Sequence, residues 1–156
     1  MREKADVCGR ELVFIILISL FVGACGAPPP PPKSRFLSSF SAKDAIQKSY
    51  HAGQSVAVRT DGVETATFGG TRHIYHRNDL ADVNIDQSDE SGFLERLKSE
   101  IERELQETGG KITDGGSGDG HYSFGYSDGK IVGWLDLWGV RTSADSYRVT
   151  ITISEY

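Results

Sequence analysis

The sequence predicts an α+β domain, in which an antiparallel sheet of two hairpin or meander units carries two helices on one face. Three observations support this class: two segments with helical periodicity, two Asp-Gly pairs between β-rich runs, and a strictly alternating run near the C-terminus. The order helix, hairpin, long helix, meander is typical of α+β proteins. The folded part is assigned to residues 36–156, which suffice for one core but not for two.

The first helix is predicted over residues 41–52. Ser41 and Asp44 have the spacing of a capping box, in which a hydroxyl and a carboxylate satisfy free N–H groups at a helix start. Gly53 is a natural terminator. Apolar residues recur at spacings of three and four within this segment: Ala42, Ala45, Ile46 and Tyr50.

A hairpin is predicted next, with Asp61 and Gly62 as its two turn residues. An Asp-Gly pair between β-rich runs is a strong hairpin signal because both turn residues adopt positive φ. A third run, residues 71–76, is a candidate further strand of this sheet. The two-residue turn sets the expected pairs, Thr60 with Val63 and Arg59 with Glu64, the second of opposite charge.

A long helix is predicted over residues 90–108, where the apolar period changes to that of a helix. Gly109 and Gly110 end the segment. Its charged residues fall mostly off the apolar stripe and are expected to form a solvated face. The stripe consists of Leu94, Leu97, Ile101 and Leu105.

The C-terminal third predicts a three-stranded meander, with a short strand at residues 111–113 as a candidate addition. Its hairpin turns at Asp128-Gly129, which places Gly133 opposite Phe124, so that an aromatic ring covers bare backbone. The same register pairs Tyr126 with Ile131 and Tyr122 with Leu135. The last strand alternates strictly, with Tyr147, Val149, Ile151 and Ile153 on one face.

The second strand of this meander provides the candidate binding residues Trp134, Asp136 and Trp138. They alternate with the core-facing Ile131, Leu135 and Leu137, so they share the opposite face with Val132, threonines and Arg148 of the last strand. Two arrangements remain open. If the first helix or a loop covers this face, both indoles are core; if the face is open, two tryptophans beside a carboxylate suit a partner protein or a sugar.

Other polar motifs predict no site. The glycine-rich residues 109–120 fail the phosphate, dinucleotide, calcium-repeat and serine-hydrolase templates and are expected to form a flexible loop. His73 and His76 would point to opposite faces of a strand, so no metal site is predicted there. No cofactor is expected. An acidic stretch is expected to be a solvated connector leading to a helix N-cap: Asp79, Asp82, Asp86 and Asp89.

The N-terminus carries an apolar run, residues 12–22, that is too short to span a bilayer. It is followed by Val-Gly-Ala-Cys ending at Cys25, which resembles the lipobox of bacterial lipoproteins. The resemblance implies that residues 1–24 are a signal peptide and that Cys25 receives fatty acyl chains. Gly26, where the family's retention signal would place aspartate, implies the outer membrane, facing the periplasm. Five prolines then make residues 25–35 a semi-rigid polyproline II spacer.

Charge and cysteine content exclude several functions. The net charge of −5 gives no electrostatic basis for nucleic-acid binding. Cys8 would leave with the signal peptide and Cys25 would be acylated, so no thiol nucleophile or cysteine metal site remains. The leading hypothesis is a lipid-anchored envelope protein that binds a protein or glycan without catalysis. The alternatives are an envelope hydrolase using Asp136 with His121 or another His, and a purely structural lipoprotein.

Overall fold

The structure, a computed structural model, describes residues 32–50, 56–68 and 72–156, with the backbone alone at 63–68 and 72–74. The lipobox, the signal peptide and most of the prolines lie outside these residues. The elements are α1 (Arg35–Ser39), α2 (Ala42–Ser49), β1 (Val58–Phe68), β2 (Arg72–Val83), a 3-10 turn (Gln87–Asp89), α3 (Glu90–Glu107), β3 (Lys111–Gly118), β4 (His121–Ser127), β5 (Val132–Ser143) and β6 (Ser146–Glu155).

The six strands form one antiparallel sheet in the order β1-β2-β6-β5-β4-β3. β1 and β2 form a hairpin, and β3 to β6 form a meander whose last strand pairs with β2. The prediction of an α+β fold with an antiparallel sheet is confirmed. The pairing of β6 with β2 joins the two units into one sheet, and it is a contact between distant parts of the chain.

The predicted turn at Asp61-Gly62 is wrong. β1 runs straight through both residues, and Asp61 pairs with Asn78 while Gly62 pairs with Arg77 of β2. The two strands stay paired as far as Phe68 and Arg72. The side chain of Asp61 instead forms an ion pair at 3.1 Å with Arg59 on its own strand. Long-range pairing with β2 therefore overrides the local turn propensity.

The second hairpin is confirmed, but its register differs by two residues. Asp128 and Ile131 close the turn, so its two central residues are Gly129, with φ of 90°, and Lys130. The Asp128 carboxylate accepts the N–H of Ile131 at 2.9 Å, and this hydrogen bond lowers the pKa of the Asp128 carboxyl. A register shift of two residues leaves every side chain on the face of the sheet that was predicted for it. The pairs become Tyr126–Gly133, Phe124–Leu135 and Tyr122–Leu137.

Both predicted helices are present. Ser41 caps α2 by accepting the N–H of Asp44 at 3.3 Å, as the capping box predicts. α3 covers almost the whole predicted range, and its apolar stripe is buried. After α3, Gly109 has a φ of 90° and the N–H of Gly110 bonds to Leu105 O at 2.9 Å. The short helix α1 was not predicted.

The glycine-rich segment is a strand rather than a flexible loop. β3 extends through Gly115 and Gly116 and pairs with β4, where a residue shift between Ile112 and Asp114 marks a bulge. All of its residues are exposed. The prediction of a loop is wrong because an edge strand needs ladder hydrogen bonds on one side only, and β4 provides them.

One cluster of buried side chains forms the core. It includes the apolar stripe of α3, residues of α1 and α2, and the alternate residues of β4, β5 and β6. On β6 the predicted inward residues are all buried. The sheet members of the cluster are Tyr75, Ala81, Val83, Phe124, Tyr126, Leu135, Leu137, Tyr147, Val149, Ile151 and Ile153.

Candidate functional site

Four large apolar side chains are exposed along β5, at every second residue except the central one. Val132 is 53 % exposed, Trp134 36 %, Trp138 50 % and Val140 57 %. Residues that alternate with them, such as Leu135 and Leu137, are fully buried. The arrangement in which both indoles are core is therefore excluded. We call this side of the sheet the tryptophan face.

Asp136 occupies the central position of this row and is held by three hydrogen bonds. Its Oδ1 accepts from Ser123 Oγ at 2.6 Å, from His121 Nε2 at 3.3 Å and from Trp134 Nε1 at 3.3 Å. The other oxygen, Oδ2, accepts no hydrogen bond from the part of the chain that the structure describes. The carboxylate is thus fixed in orientation, with one oxygen left for a further donor.

Each indole is also fixed by the neighbouring strand β4. His121 lies opposite Trp138 and stacks on its ring, with centroids 3.7 Å apart and an interplanar angle of 16°. Trp134 lies opposite Gly125, and a Cβ at that glycine would be only 3.2 Å from the indole ring. The ring therefore rests on bare backbone. Both indoles are held in place while remaining exposed to solvent.

The neighbouring strands contribute further polar groups to the tryptophan face. Thr152 lies beside Asp136 in the register and donates to Asn78 Oδ1 at 2.7 Å. His76 Nδ1 lies 2.9 Å from Ser154 Oγ, beside Trp134. These groups hydrogen-bond to one another across the strands and so stabilise the sheet.

Two arginines on this face belong to ion pairs on the β1, β2 and β6 side, while Lys111 of β3 pairs in register with Ser127 near the far end of β4. Arg148 binds Asp82 at 2.8 Å, and this hydrogen bond lowers the pKa of the Asp82 carboxyl and raises that of the Arg148 guanidinium. Arg59 pairs with Asp61. For Asp136, by contrast, His121 is the sole basic side chain in contact within the described ranges. The centre of the row therefore carries a carboxylate that no arginine or lysine of this structure neutralises.

The predicted trio Trp134, Asp136 and Trp138 lies together on one exposed face. Ser123 and Gly125 were missed, and no spacing in the sequence indicated that His121 contacts Asp136. The two-residue register shift explains these differences, because the predicted turn paired each β4 residue with the wrong β5 partner. The signal available in the sequence was Gly125 of β4, because a residue without a side chain leaves room for an indole on the neighbouring strand.

The acidic stretch is a solvated connector only in its second half, where Asp86 is exposed between β2 and the 3-10 turn. Asp79 is buried within β2, where Arg77 Nε lies 2.8 Å from its Oδ2 and Thr60 Oγ1 donates to its Oδ1 at 2.5 Å. Asp82 is also a strand residue. Asp89 does occupy the N-cap position of α3, although its side chain makes no capping hydrogen bond. Strand pairing with β6, which the local pattern does not reveal, explains the difference.

Metal ligation finds no support within residues 32–50, 56–68 and 72–156, where no three His, Cys, Asp or Glu side chains cluster suitably. His73 and His76 both belong to β2, and only the backbone of His73 is described. None of the described helices is both long enough and apolar enough to cross a membrane.

No family model, curated protein or solved structure matches this chain. Exposed indoles held by a rigid sheet are typical of a recognition surface, since such side chains concentrate binding energy at interfaces.

Proposed function

We propose that the chain is a lipid-anchored protein of the bacterial cell envelope whose domain binds a protein or glycan partner without catalysis. Trp134, Asp136 and Trp138 form the binding surface. The observation that carries this proposal is the exposure of two indoles that the neighbouring strand holds in place. Large apolar side chains that remain exposed in an ordered sheet are typical of interaction sites.

The arrangement of layers supports the same proposal. We infer that the helices cover one face of the sheet and leave the tryptophan face open, because the buried residues of α3 and the inward residues of β5 and β6 belong to one core cluster. The opposite residues of β5 are exposed, apart from the half-buried Asp136. A partner would then reach the sheet directly.

Anchoring is proposed from the resemblance of residues 22–25 to a lipobox. Cys25 would carry the lipid, and the prolines would hold the domain away from the bilayer on the periplasmic side of the outer membrane. More than one acyl chain is needed, since a single chain binds only marginally. This places the tryptophan face among envelope proteins and cell-wall glycans.

Replacing Cys25 tests the anchor. Cells expressing the full chain are expected to incorporate radiolabelled palmitate into it and to retain it in the outer-membrane fraction. Cys25→Ala should abolish the label and release the protein from the membrane, because the acylated sulfur is gone. Cys8→Ala is the matched control, since the chain has two cysteines, and should remain labelled. Persistent labelling of the Cys25 variant would contradict the anchor.

Replacing the tryptophans tests the binding surface. Trp134→Ala and Trp138→Ala should each abolish co-purification of an envelope partner and lower stability by only about 1 kcal/mol, because exposed side chains contribute little to the core. The matched control is Ile112→Ala, at an exposed apolar residue of the edge strand β3 that lies outside this row. If the tryptophan variants lost stability to the same extent as they lost binding, the proposal would be contradicted. Both tryptophans of the chain lie on this face and are exposed. The fluorescence emission of the folded domain should therefore be red-shifted and readily quenched by iodide.

An envelope hydrolase is the second candidate, favoured by the contact between His121 and Asp136. Ser123 lies beside them, but its hydroxyl donates to Asp136 rather than to His121. A serine nucleophile needs a base that accepts its proton and is itself oriented by a third group. Here Ser123 and His121 both donate to the same oxygen of Asp136, and this arrangement favours a structural role for the three residues. The third candidate, a purely structural lipoprotein, requires no function of the tryptophan face.

A further inference from the structure

The carboxylate at the centre of the tryptophan face forms no ion pair with an arginine or lysine of the described residues. Asp136 Oδ2 accepts no hydrogen bond from the described residues, and the described arginines of this face are already paired with Asp61 and Asp82. Asp114 of the edge strand, which lies in register with Gly125 beneath Trp134, adds a second exposed carboxylate. Charge complementarity therefore calls for a cation in the occupant.

The surroundings of that carboxylate match a guanidinium or ammonium group. Trp134 donates its Nε1–H to Asp136, so its ring edge adjoins the carboxylate while much of the indole stays exposed. A cation over an indole face is attracted by the ring, and a carboxylate within reach adds an ion pair. A planar guanidinium can satisfy both interactions at once.

The rest of the row favours a protein over a glycan. Val132 and Val140, at its two ends, are more than half exposed. Aliphatic side chains do not stack on sugar rings, but they do pack against apolar side chains of a partner protein. Along the row, the apolar positions Trp134 and Trp138 lie two residues on either side of Asp136, about 6.6 Å away at the usual rise of a strand.

We propose that this face binds a partner protein through a strand-like segment that presents arginine or lysine between two apolar side chains, each two residues away. The basic group would pair with Asp136 Oδ2 and lie on Trp134, while the flanking side chains contact the apolar positions of β5. A second copy of the chain is a poor occupant, because a two-fold axis through this site would bring two Asp136 carboxylates together. This inference rests on the proposed function and specifies its partner.

The test measures the binding of a short peptide to the full chain. The probe is acetyl-Leu-Ser-Arg-Ser-Leu-amide, and its control contains citrulline, the neutral isostere of arginine. Binding is followed by the NMR signals of the two indole N–H groups. We expect the arginine peptide to shift both signals and to bind roughly tenfold more tightly than the citrulline peptide, as charge-assisted and cation–π contacts provide.

Two variants test whether the Asp136 carboxylate causes the difference between the two peptides. Asp136→Asn keeps the Oδ1 acceptor for Ser123, His121 and Trp134, so the sheet should remain intact while arginine binding falls to the citrulline level. Asp145→Asn, at an exposed carboxylate of the β5–β6 turn, changes the net charge equally and should leave binding unchanged.

The inference is overturned by equal binding of the two peptides, by unchanged binding of the Asp136→Asn variant, or by no shift of either indole signal at the solubility limit of the peptide. A dimer in sedimentation that Trp138→Ala converts to a monomer would also overturn it, because a second copy would then occupy the face. If an oligomer of N-acetylglucosamine shifts the indole signals instead, the inference fails and the proposed function stands with a glycan as partner. If the Trp134 and Trp138 variants also retain their partner, both fail.

Discussion

Glu155→Ala is expected to lower the free energy of unfolding by about 3 kcal/mol, one of the two largest single losses that we expect in this domain. Glu155 is the last residue of β6 and is 1 % exposed. Its carboxylate accepts the backbone N–H of Ser34 at 3.0 Å, the Ser34 hydroxyl, and the Tyr126 hydroxyl at 2.7 Å. Removing it leaves three buried donors without an acceptor and opens a cavity.

The Glu155 carboxylate joins the end of β6 to the start of α1. Ser34 is the N-cap of α1 and accepts the N–H of Leu37 at 2.9 Å, so Glu155 fixes the start of α1. Burial, and then the neighbouring Glu155 charge, raise the pKa of the Tyr126 hydroxyl far above its usual range. Tyr126 therefore remains a donor to Glu155 at any ordinary pH.

Urea unfolding of the variants measures this effect. Glu155→Gln retains one acceptor oxygen but turns an amide N–H₂ toward Ser34 N–H, so its loss should be about 1 to 2 kcal/mol. Asp145→Ala, at an exposed carboxylate, should change stability by no more than about 0.5 kcal/mol. A Glu155→Ala protein as stable as the Asp145 control would show that these hydrogen bonds contribute nothing net.

Gly133→Ala is expected to cost a similar amount, about 3 kcal/mol, through overpacking. A Cβ at this position would lie 2.2 Å from Tyr126 Cζ, well inside van der Waals contact. The Tyr126 ring cannot move freely, because it packs edge-on against Phe36 at 5.3 Å and donates to Glu155. Either the ring or the strand must shift, and a shifted ring loses its hydrogen bond.

Two measurements check this explanation. Gly116→Ala is the matched control, since a Cβ there would meet nothing within 4 Å and should leave unfolding almost unchanged. Combining Gly133→Ala with Tyr126→Leu should cost less than the sum of the single losses, because the ring that the methyl group meets is gone. Strict additivity of the two losses would contradict a clash between these residues.

The tyrosine, the glycine and the glutamate form one row across three strands. Tyr126 of β4 lies opposite Gly133 of β5, which lies opposite Glu155 of β6. The missing side chain at Gly133 lets the tyrosine cross β5 and reach the carboxylate beyond it. The sequence predicted an aromatic ring over this glycine but assigned it to Phe124. Only the register could identify the correct ring.

Periodicity predicted the faces of the meander correctly even though its register was wrong. The inward residues of β4 and β5 remain inward, because a shift of two residues leaves the side-chain alternation unchanged. For the same reason Trp134, Asp136 and Trp138 fall on one side together. The contacts of Asp136 with His121 and Ser123 required the true pairing, which the turn at Gly129 and Lys130 sets.

Local signals failed where a distant strand competed with them. The Asp61-Gly62 pair did not turn, because β1 continues in a ladder with β2 on both sides of it. Asp79 looked like part of a polar connector, yet it is buried in β2 beside Arg77 and Thr60. Turn propensities are worth little compared with several ladder hydrogen bonds and the burial that accompanies them.

The sequence by itself determined the two main helices, the alternation of β5 and β6, and the shared face of the two tryptophans. These features depend on neighbours within a few residues, so periodicity and capping reveal them. The tertiary structure decided that β6 joins β2, that the tryptophan face is exposed, and that Glu155 is buried under Ser34 and Tyr126. Those outcomes depend on pairing between residues far apart in the chain, and no local pattern encodes them.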